Sequence, residues 1–340
     1  MTEPLFTVLI DTYNYGQFIE EAVRSALEQD FPADRVEVLV VDDGSTDDTA
    51  QRLEKFGGTI RYLRKQNGGQ ASAFNFGLAQ ARGEFVALLD ADDAWLPGKL
   101  KRMHWAFMEH PEAGMAYHRS YEWMEDGGLG EGGHFAAVSG RVTDSRRALL
   151  SYPMMQTSCL VFRRAALQDL LPIPEGLRTQ ADAYLTALII FICPVAAVDE
   201  FLGKYRVHGG NLFHVRGGGA NARQLENRVA MREFLVREIR DWLRKHGRDT
   251  EAPEIADYLK QWRKAQEVDR FALRAPGRWE YFLHLAEYPR VYGELMSPRH
   301  VAYSRLRALA GLALGYRGIC RFDAAYGQLR GTRAVEKKTR

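Results

Sequence analysis

The 340-residue sequence predicts an α/β fold, a mostly parallel sheet flanked by helices, with a helical C-terminal extension. Three observations carry this expectation. Apolar runs of strand length alternate with segments of helical periodicity through the first 110 residues, which implies parallel pairing through right-handed crossovers. Each run stops at a cluster of Asp, Asn or Gly, so the polar loops gather on one rim of the sheet, where open α/β folds bind ligands. Beyond residue 216 the pattern becomes helical.

Phe6–Ile10 reads as the first strand and ends in Asp11-Thr12-Tyr13-Asn14-Tyr15-Gly16. A helix follows, with apolar positions Phe18, Ile19, Ala22, Val23, Ala26 and Leu27 at helical spacing. Val36–Val41 is the second strand, ending in Asp42-Asp43-Gly44, with Ser45 or Thr46 as the cap of the next helix. Ile60–Leu63 is a short third strand, Asn67-Gly68-Gly69 a turn and Gln70–Ala81 a helix. The fourth strand, Glu84–Leu89, stops abruptly at Asp90, Asp92 and Asp93, and Pro97 opens another helix. Period-two alternation sends Asp90 and Asp92 to the same side. Two hard oxygen ligands there can hold a divalent cation that bridges to phosphate; a solvated acidic turn is the plainer alternative. In the neighbouring loops, Asp43 can accept hydrogen bonds from the amide edge of a base. Thr12 and Tyr13 offer backbone groups and an aromatic face, and Asn67-Gly68-Gly69 permits close backbone approach. Each of these residues also suits a turn or a helix cap.

Met115–Met124 suits an antiparallel strand, Gly127–Gly133 a flexible loop, and Gln156–Phe162 another strand followed by a helix. Gly217–Gly219 is a natural hinge before helices at Ala222–His246, Ala252–Phe271 and Trp279–Ala286. Val301–Tyr316 is amphipathic and basic, suited either to an anionic membrane surface or to packing on the domain. The net charge of +2 gives no reason to expect nucleic acid as a partner. Three well-separated cysteines, Cys159, Cys193 and Cys320, form neither a disulfide framework nor a metal knuckle and suit a reducing, cytoplasmic setting. The N-terminus carries no basic-then-apolar leader, and the longest apolar run, Ala187–Val198, contains Pro194 and is too short to span a bilayer.

Taken together, TVLIDTYNYGQFIEEAVRSALEQ, VEVLVVDDGSTDDT and QNGGQASAFNFGLAQARGEFVALLDADDAWLPGKL resemble the donor half of inverting family-two glycosyltransferases with the GT-A fold. The resemblance implies a domain over 1–215, with a nucleotide-sugar half at 1–110 and an acceptor half at 111–215, before the helical 216–340 region. It implies that Asp43 contacts uracil, that Asp90 reaches the ribose or the metal, and that Asp92 carries the metal, with Asp93 able to share that role. Thr12, Tyr13, Asn14, Asn67 and Gly68 complete the nucleotide-sugar contacts. Asp182, at the start of an apolar helix, takes the place of the general base. In Tyr205-Arg206-Val207-His208, Arg206 would pair with phosphate and His208 would join the metal or the diphosphate. Mn²⁺ or Mg²⁺ is the implied cofactor, a UDP-sugar the implied donor, and a glycan or lipid-linked glycan of the bacterial surface the implied acceptor. Peripheral membrane contact and a homodimer remain open. The sequence departs from the pattern in Asp11 for Pro, Phe74 for Arg and Ala181 for Glu. A sugar-nucleotide pyrophosphorylase and a non-catalytic nucleotide-binding scaffold are the competing readings. The first calls for a glycine-rich, Arg- and Lys-bearing phosphate loop right after the first strand, which Asp11-Thr12-Tyr13-Asn14 lacks.

Overall fold

The structure, a computed structural model, describes residues 3–131, 140–142, 155–211, 222–273, 278–280, 282–283, 286 and 301–314. The expected Gly217–Gly219 hinge and all of the chain after 314 lie outside the described residues, and the Trp279–Ala286 helix lies partly outside them. The chain forms two compact units. The first gathers Met1–Ser120, Ala137–Tyr205 and Arg237–Arg248; the second gathers Tyr121–Ala136, Arg206–Val236 and Asp249–Arg340.

In the first unit, β1 (Phe6–Thr12) leads to α1 (Gly16–Leu27), β2 (Val36–Asp42), α2 (Thr49–Leu53), β3 (Arg61–Arg64), α3 (Gln70–Gln80) and β4 (Phe85–Asp90). These strands pair in parallel, in the order β3-β2-β1-β4. After the short β5 (Ala94–Trp95) and α4 (Lys99–Glu109) the pairing changes. β9 (Leu160–Arg163) runs antiparallel to β4 and to β6 (Met115–Met124). The path closes through β10 (Val195–Val207), which pairs antiparallel with β5 and with β8 (Gly140–Val142). The sheet is therefore parallel only as far as β4, where helical crossovers link the strands.

Both faces of β1, β2 and β4 are covered, which is why these strands are continuous apolar runs rather than alternating ones. Val8, Ile10, Val38, Val40, Ala87 and Leu89 point to one face and join Ile19 and Val23 of α1 and Met103 and Phe107 of α4 in a single core. The other face receives α3 so closely that a Cβ on Gly77 would come within 2.4 Å of Leu9 Cδ1. Each large apolar side chain buried this way contributes about 1.5–3 kcal/mol.

Three local expectations are corrected. β1 and β4 run further than their apolar runs, so Asp11 and Asp90 are register neighbours within the sheet. Ser45 and Thr46 do not cap the next helix: Ser45 Oγ accepts the N–H of Asn14 at 2.9 Å, and Asp47 Oδ1 accepts that of Thr49 at 3.1 Å. The Gln156–Phe162 stretch is not one strand, because Thr157–Cys159 form a buried 3-10 turn before β9 begins.

In the second unit, Tyr121–Trp123 of β6 pairs antiparallel with β7 (Leu129–Glu131) around a turn at Gly127, whose φ of +82° is a glycine conformation. What is described of the expected flexible loop is thus a hairpin. The unit also holds α7 (Pro253–Leu273) and a helix over 301–314, while α6 (Ala222–Lys245) has residues in both units. Among the described residues no helix is long and apolar enough to cross a membrane.

Candidate active site

The acidic stretch after β4 is a tight turn, not an extended rim. Asp93 donates its N–H to the carbonyl of Asp90 at 3.1 Å, so the chain reverses within four residues. The turn gathers all three carboxylates: Asp90, Asp92 and Asp93 each present an oxygen within 4.8 Å of the others. Alternation had accounted for two of them; the reversal adds the third. Asp11, alongside on β1, adds a fourth carboxylate. Burial pushes its pKa up to about 8, and the charges of Asp182, Asp92 and Asp43 push the same way. Asp90 is raised well above the usual range, first by burial and then by Asp11, Asp93, Asp92 and Asp182. Like charges held this close need a cation or a shared proton. The donor set is all hard oxygen, which fits Mg²⁺ or Mn²⁺. Two buried oxygens at the carboxyl end of β1, Asp11 Oδ1 and Thr12 Oγ1, have no hydrogen-bond partner among the described residues. Such atoms call for a ligand.

Asp182 opens α5 (Ala181–Ile189) and is brought to this cluster by two connections. The first is the 3-10 turn before β9. Thr157 Oγ1 donates to Asp182 Oδ2 at 3.1 Å, and the next residue, Ser158, donates its hydroxyl to Asp93 Oδ2 at 2.6 Å. The Ser158 hydroxyl also accepts the N–H of Asp90 at 3.1 Å, and its carbonyl accepts Trp95 Nε1 and Lys99 Nζ, each at 2.8 Å. Lys99 is fully buried, with its Nζ 3.3 Å from the centroid of the Trp95 ring, and desolvation holds its pKa well below that of an ordinary lysine. The second connection is a seam between α3 and the segment before α5. Gln70 Oε1 accepts the N–H of Ala181 at 3.0 Å, while the N–H groups of Gln70 and Ala71 reach the carbonyls of Arg178 and Leu177. Gly69, at φ +90°, lies so close to Arg178 that a Cβ would stand 2.6 Å from its Cα. Burial raises the Asp182 pKa, partly offset by the N–H of Ala183 and the Thr157 hydroxyl.

The predicted nucleotide residues divide by what they already hold. Asp43 is buried and accepts Lys65 Nζ at 2.7 Å and the N–H groups of Gly68 and Gly69 at 2.9 and 2.6 Å, so it shapes the 65–69 loop. Asn67 Nδ2 donates to the Asp43 carbonyl at 3.0 Å, and its Oδ1 accepts Arg178 Nη2. Asn14, with a φ of +58°, accepts the N–H of Thr46 at 2.7 Å and ties the β1 loop to the β2 loop. Tyr13 is exposed, with its ring free of the core. Tyr15 and Tyr205, not singled out in the sequence as ligands, flank the acidic turn, and burial together with its carboxylates raises both phenols.

Arg206 and His208 belong to the second unit. There the Arg206 guanidinium lies 3.7 Å from the centroid of the Trp123 ring. His208 Nδ1 accepts the N–H of Gly210 at 3.1 Å.

Thr157, Ser158 and Gln70 carry no motif. Their roles depend on partners 25 to 111 residues away, and only the positions of Asp93 and Asp182 signalled that something must join them.

Residues 7–171 match the sequence profile of glycosyl transferase family 2. An uncharacterized glycosyltransferase of Nostoc sp. is 31% identical over 252 residues, which cover 71% of this chain and 76% of that one. Among solved structures, S. aureus TarS 1–349 in complex with UDP-GlcNAc superposes with a TM-score of 0.63 at 23% identity, covering 95% of this chain and 92% of that one. The mannosyltransferase PcManGT from Pyrobaculum calidifontis, in complex with GDP-Man and Mn²⁺, superposes with a TM-score of 0.55 at 21% identity, covering 97% and 88%. A parallel half-sheet that meets antiparallel strands beside an acidic turn is thus the GT-A architecture, and the class of protein is a glycosyltransferase. Within that class, the chain belongs to glycosyl transferase family 2. This sets aside the pyrophosphorylase and scaffold readings. Two of the departures are packing residues, since Phe74 and Ala181 are fully buried.

Proposed function

We propose that the protein is a metal-dependent inverting glycosyltransferase that moves a sugar from a UDP-sugar to an acceptor hydroxyl in bacterial surface glycan synthesis. The observation that carries this reading is the junction at Thr157-Ser158, whose adjacent hydroxyls hold Asp182 on one side and the acidic turn on the other.

In this reading Asp182 takes the proton of the acceptor hydroxyl as that oxygen attacks the anomeric carbon from the face opposite the diphosphate. Its raised pKa makes it a better base than an exposed carboxylate, and one such group suffices because no covalent sugar–enzyme intermediate is formed. Asp92, with Asp90 or Asp93, would hold Mn²⁺ or Mg²⁺, which when bound supplies Lewis-acid neutralisation of the departing phosphates. Thr12 and Asp11 offer unsatisfied oxygens to the donor, and Asp43 fixes the loop that carries Asn67 and Gly68. The UDP-GlcNAc and the GDP-Man with Mn²⁺ held by the two structural neighbours support a nucleotide-sugar donor and a divalent ion.

Calorimetric titration with UDP, GDP and ADP, with and without Mn²⁺, tests the donor assignment. UDP should bind only with the metal, and tighter binding of GDP would overturn the uridine reading. Asp182→Asn should lower turnover by about 10²–10⁴-fold while leaving UDP affinity unchanged. Turnover near that of the native enzyme would remove Asp182 from the mechanism.

A further inference from the structure

The helix over 301–314 carries its apolar face outward. At 3.6 residues per turn, Leu306, Leu309 and Leu314 fall within one sector of about 140°. All three are more than half exposed, at 55%, 57% and 54%. The opposite side is packed, with Ala308 only 2% exposed. A helix that merely covers a core does the reverse, with its polar side in solvent. Arg305 and Arg307 fall at the two edges of the leucine sector, one on each side. From Arg299 to the end, the chain holds ten of its 46 Lys and Arg but only two of its 44 Asp and Glu.

We infer that this helix is a docking surface for an anionic phospholipid bilayer, with the three leucines entering the acyl boundary and the flanking arginines reaching the headgroups. Leucine side chains suit that depth, and arginine stems can lie along apolar surface while the charge stays at the interface. An exposed apolar stripe bordered by charge is a recognised mark of such contact. Pairing with a second copy is the less favourable occupant, because a two-fold contact through this helix would set two strongly basic segments against each other. The inference does not depend on the donor or on the metal, and its failure would leave the proposed reaction as it stands.

Co-sedimentation of the full chain with vesicles decides the matter. Vesicles of phosphatidylcholine mixed with phosphatidylglycerol should bind at least about tenfold more tightly than phosphatidylcholine alone, because each arginine near the surface adds attraction. Added salt should weaken the binding. Replacing all three leucines, Leu306→Asp, Leu309→Asp and Leu314→Asp, should reduce it by at least about tenfold, with thermal unfolding as the check on folding. Should that variant not fold, hydrogen exchange on the native chain reads the same surface, and amides of 301–314 should slow when anionic vesicles are added. A native chain that stays in the supernatant at low salt overturns the inference. So does a folded triple variant that binds like the native protein, or unchanged exchange over 301–314 with bound vesicles. A dimer dispersed by the triple variant, with no vesicle binding, would assign the face to a second copy instead.

Discussion

Ser158 sits at the centre of the site without touching any atom that would react. Its hydroxyl holds Asp93 and the amide of Asp90, and its carbonyl holds Trp95 and Lys99. Removing that hydroxyl takes one hydrogen bond from the Asp93 carboxylate and one from the Asp90 amide, which costs about 1–3 kcal/mol. On the proposed reaction, where the turn holds Mn²⁺ and the donor is a UDP-sugar, Ser158→Ala should weaken Mn²⁺-dependent UDP binding by about 10–100-fold, the usual range for groups that orient metal ligands, and Ser158→Thr should restore most of it. Titration of UDP binding against metal concentration checks this, and an unchanged metal requirement in a folded Ser158→Ala protein would remove Ser158 from the support of the turn. The contrast with Asp90-Ala91-Asp92-Asp93 explains what a sequence reveals. Three acids after an apolar run announce themselves locally, whereas a serine that reads as part of a strand gives no such sign. Asp11 was visible only as a departure from a pattern, and its register with Asp90 explains what it adds, a further carboxylate beside the acidic turn.

At the scale of elements, β1, β2 and β4 were legible to within a residue or two because they are buried on both faces. β5 and β8, two and three residues long, were not, since pairing with β10 alone defines them. The first two strands are also tied by a polar clasp. Thr7 donates to Glu37 at 2.7 Å, the Arg82 N–H reaches it at 3.0 Å, and Arg61 adds an ion pair. Burial opposes ionisation of Glu37, but these donors outweigh it and hold its pKa below the ordinary 4.5. A lowered carboxylate stabilises the fold fully above the unfolded-state value and loses that contribution as pH falls through the folded one. Glu37→Gln should thus lower the melting temperature at pH 7, and the gap from the native protein should shrink as pH drops below about 4.5. Melting curves from pH 7 to pH 3 measure it, and a constant gap would show that the charge contributes nothing.

For the whole molecule, an ion held by the acidic turn in the proposed manner would be a stabilising ligand of the folded chain. At a concentration of about 100 times its Kd, a bound ion adds about 2.7 kcal/mol. Mn²⁺ should raise the melting temperature of the native protein but not that of Asp92→Asn, and stripping the ion with a chelator should reverse the gain. An equal rise in both would place the binding elsewhere. The sequence disclosed that 301–314 has an apolar side and a basic border, but not that its leucines face outward, because periodicity fixes which residues share a side and only the fold decides which side is packed.

The contact of Gln70 with Ala181, beside the near-touching backbones of Gly69 and Arg178, bears on protein engineering. A chimera that takes its first hundred residues from one relative and the remainder from another would cut across this fit. Unless positions 69 and 70 are transplanted together with 177–181, the hybrid would keep its β-strands yet misplace the carboxylate at 182. Swapping donor preference between relatives is therefore a matter of matching both edges of that joint, not of exchanging a nucleotide cassette.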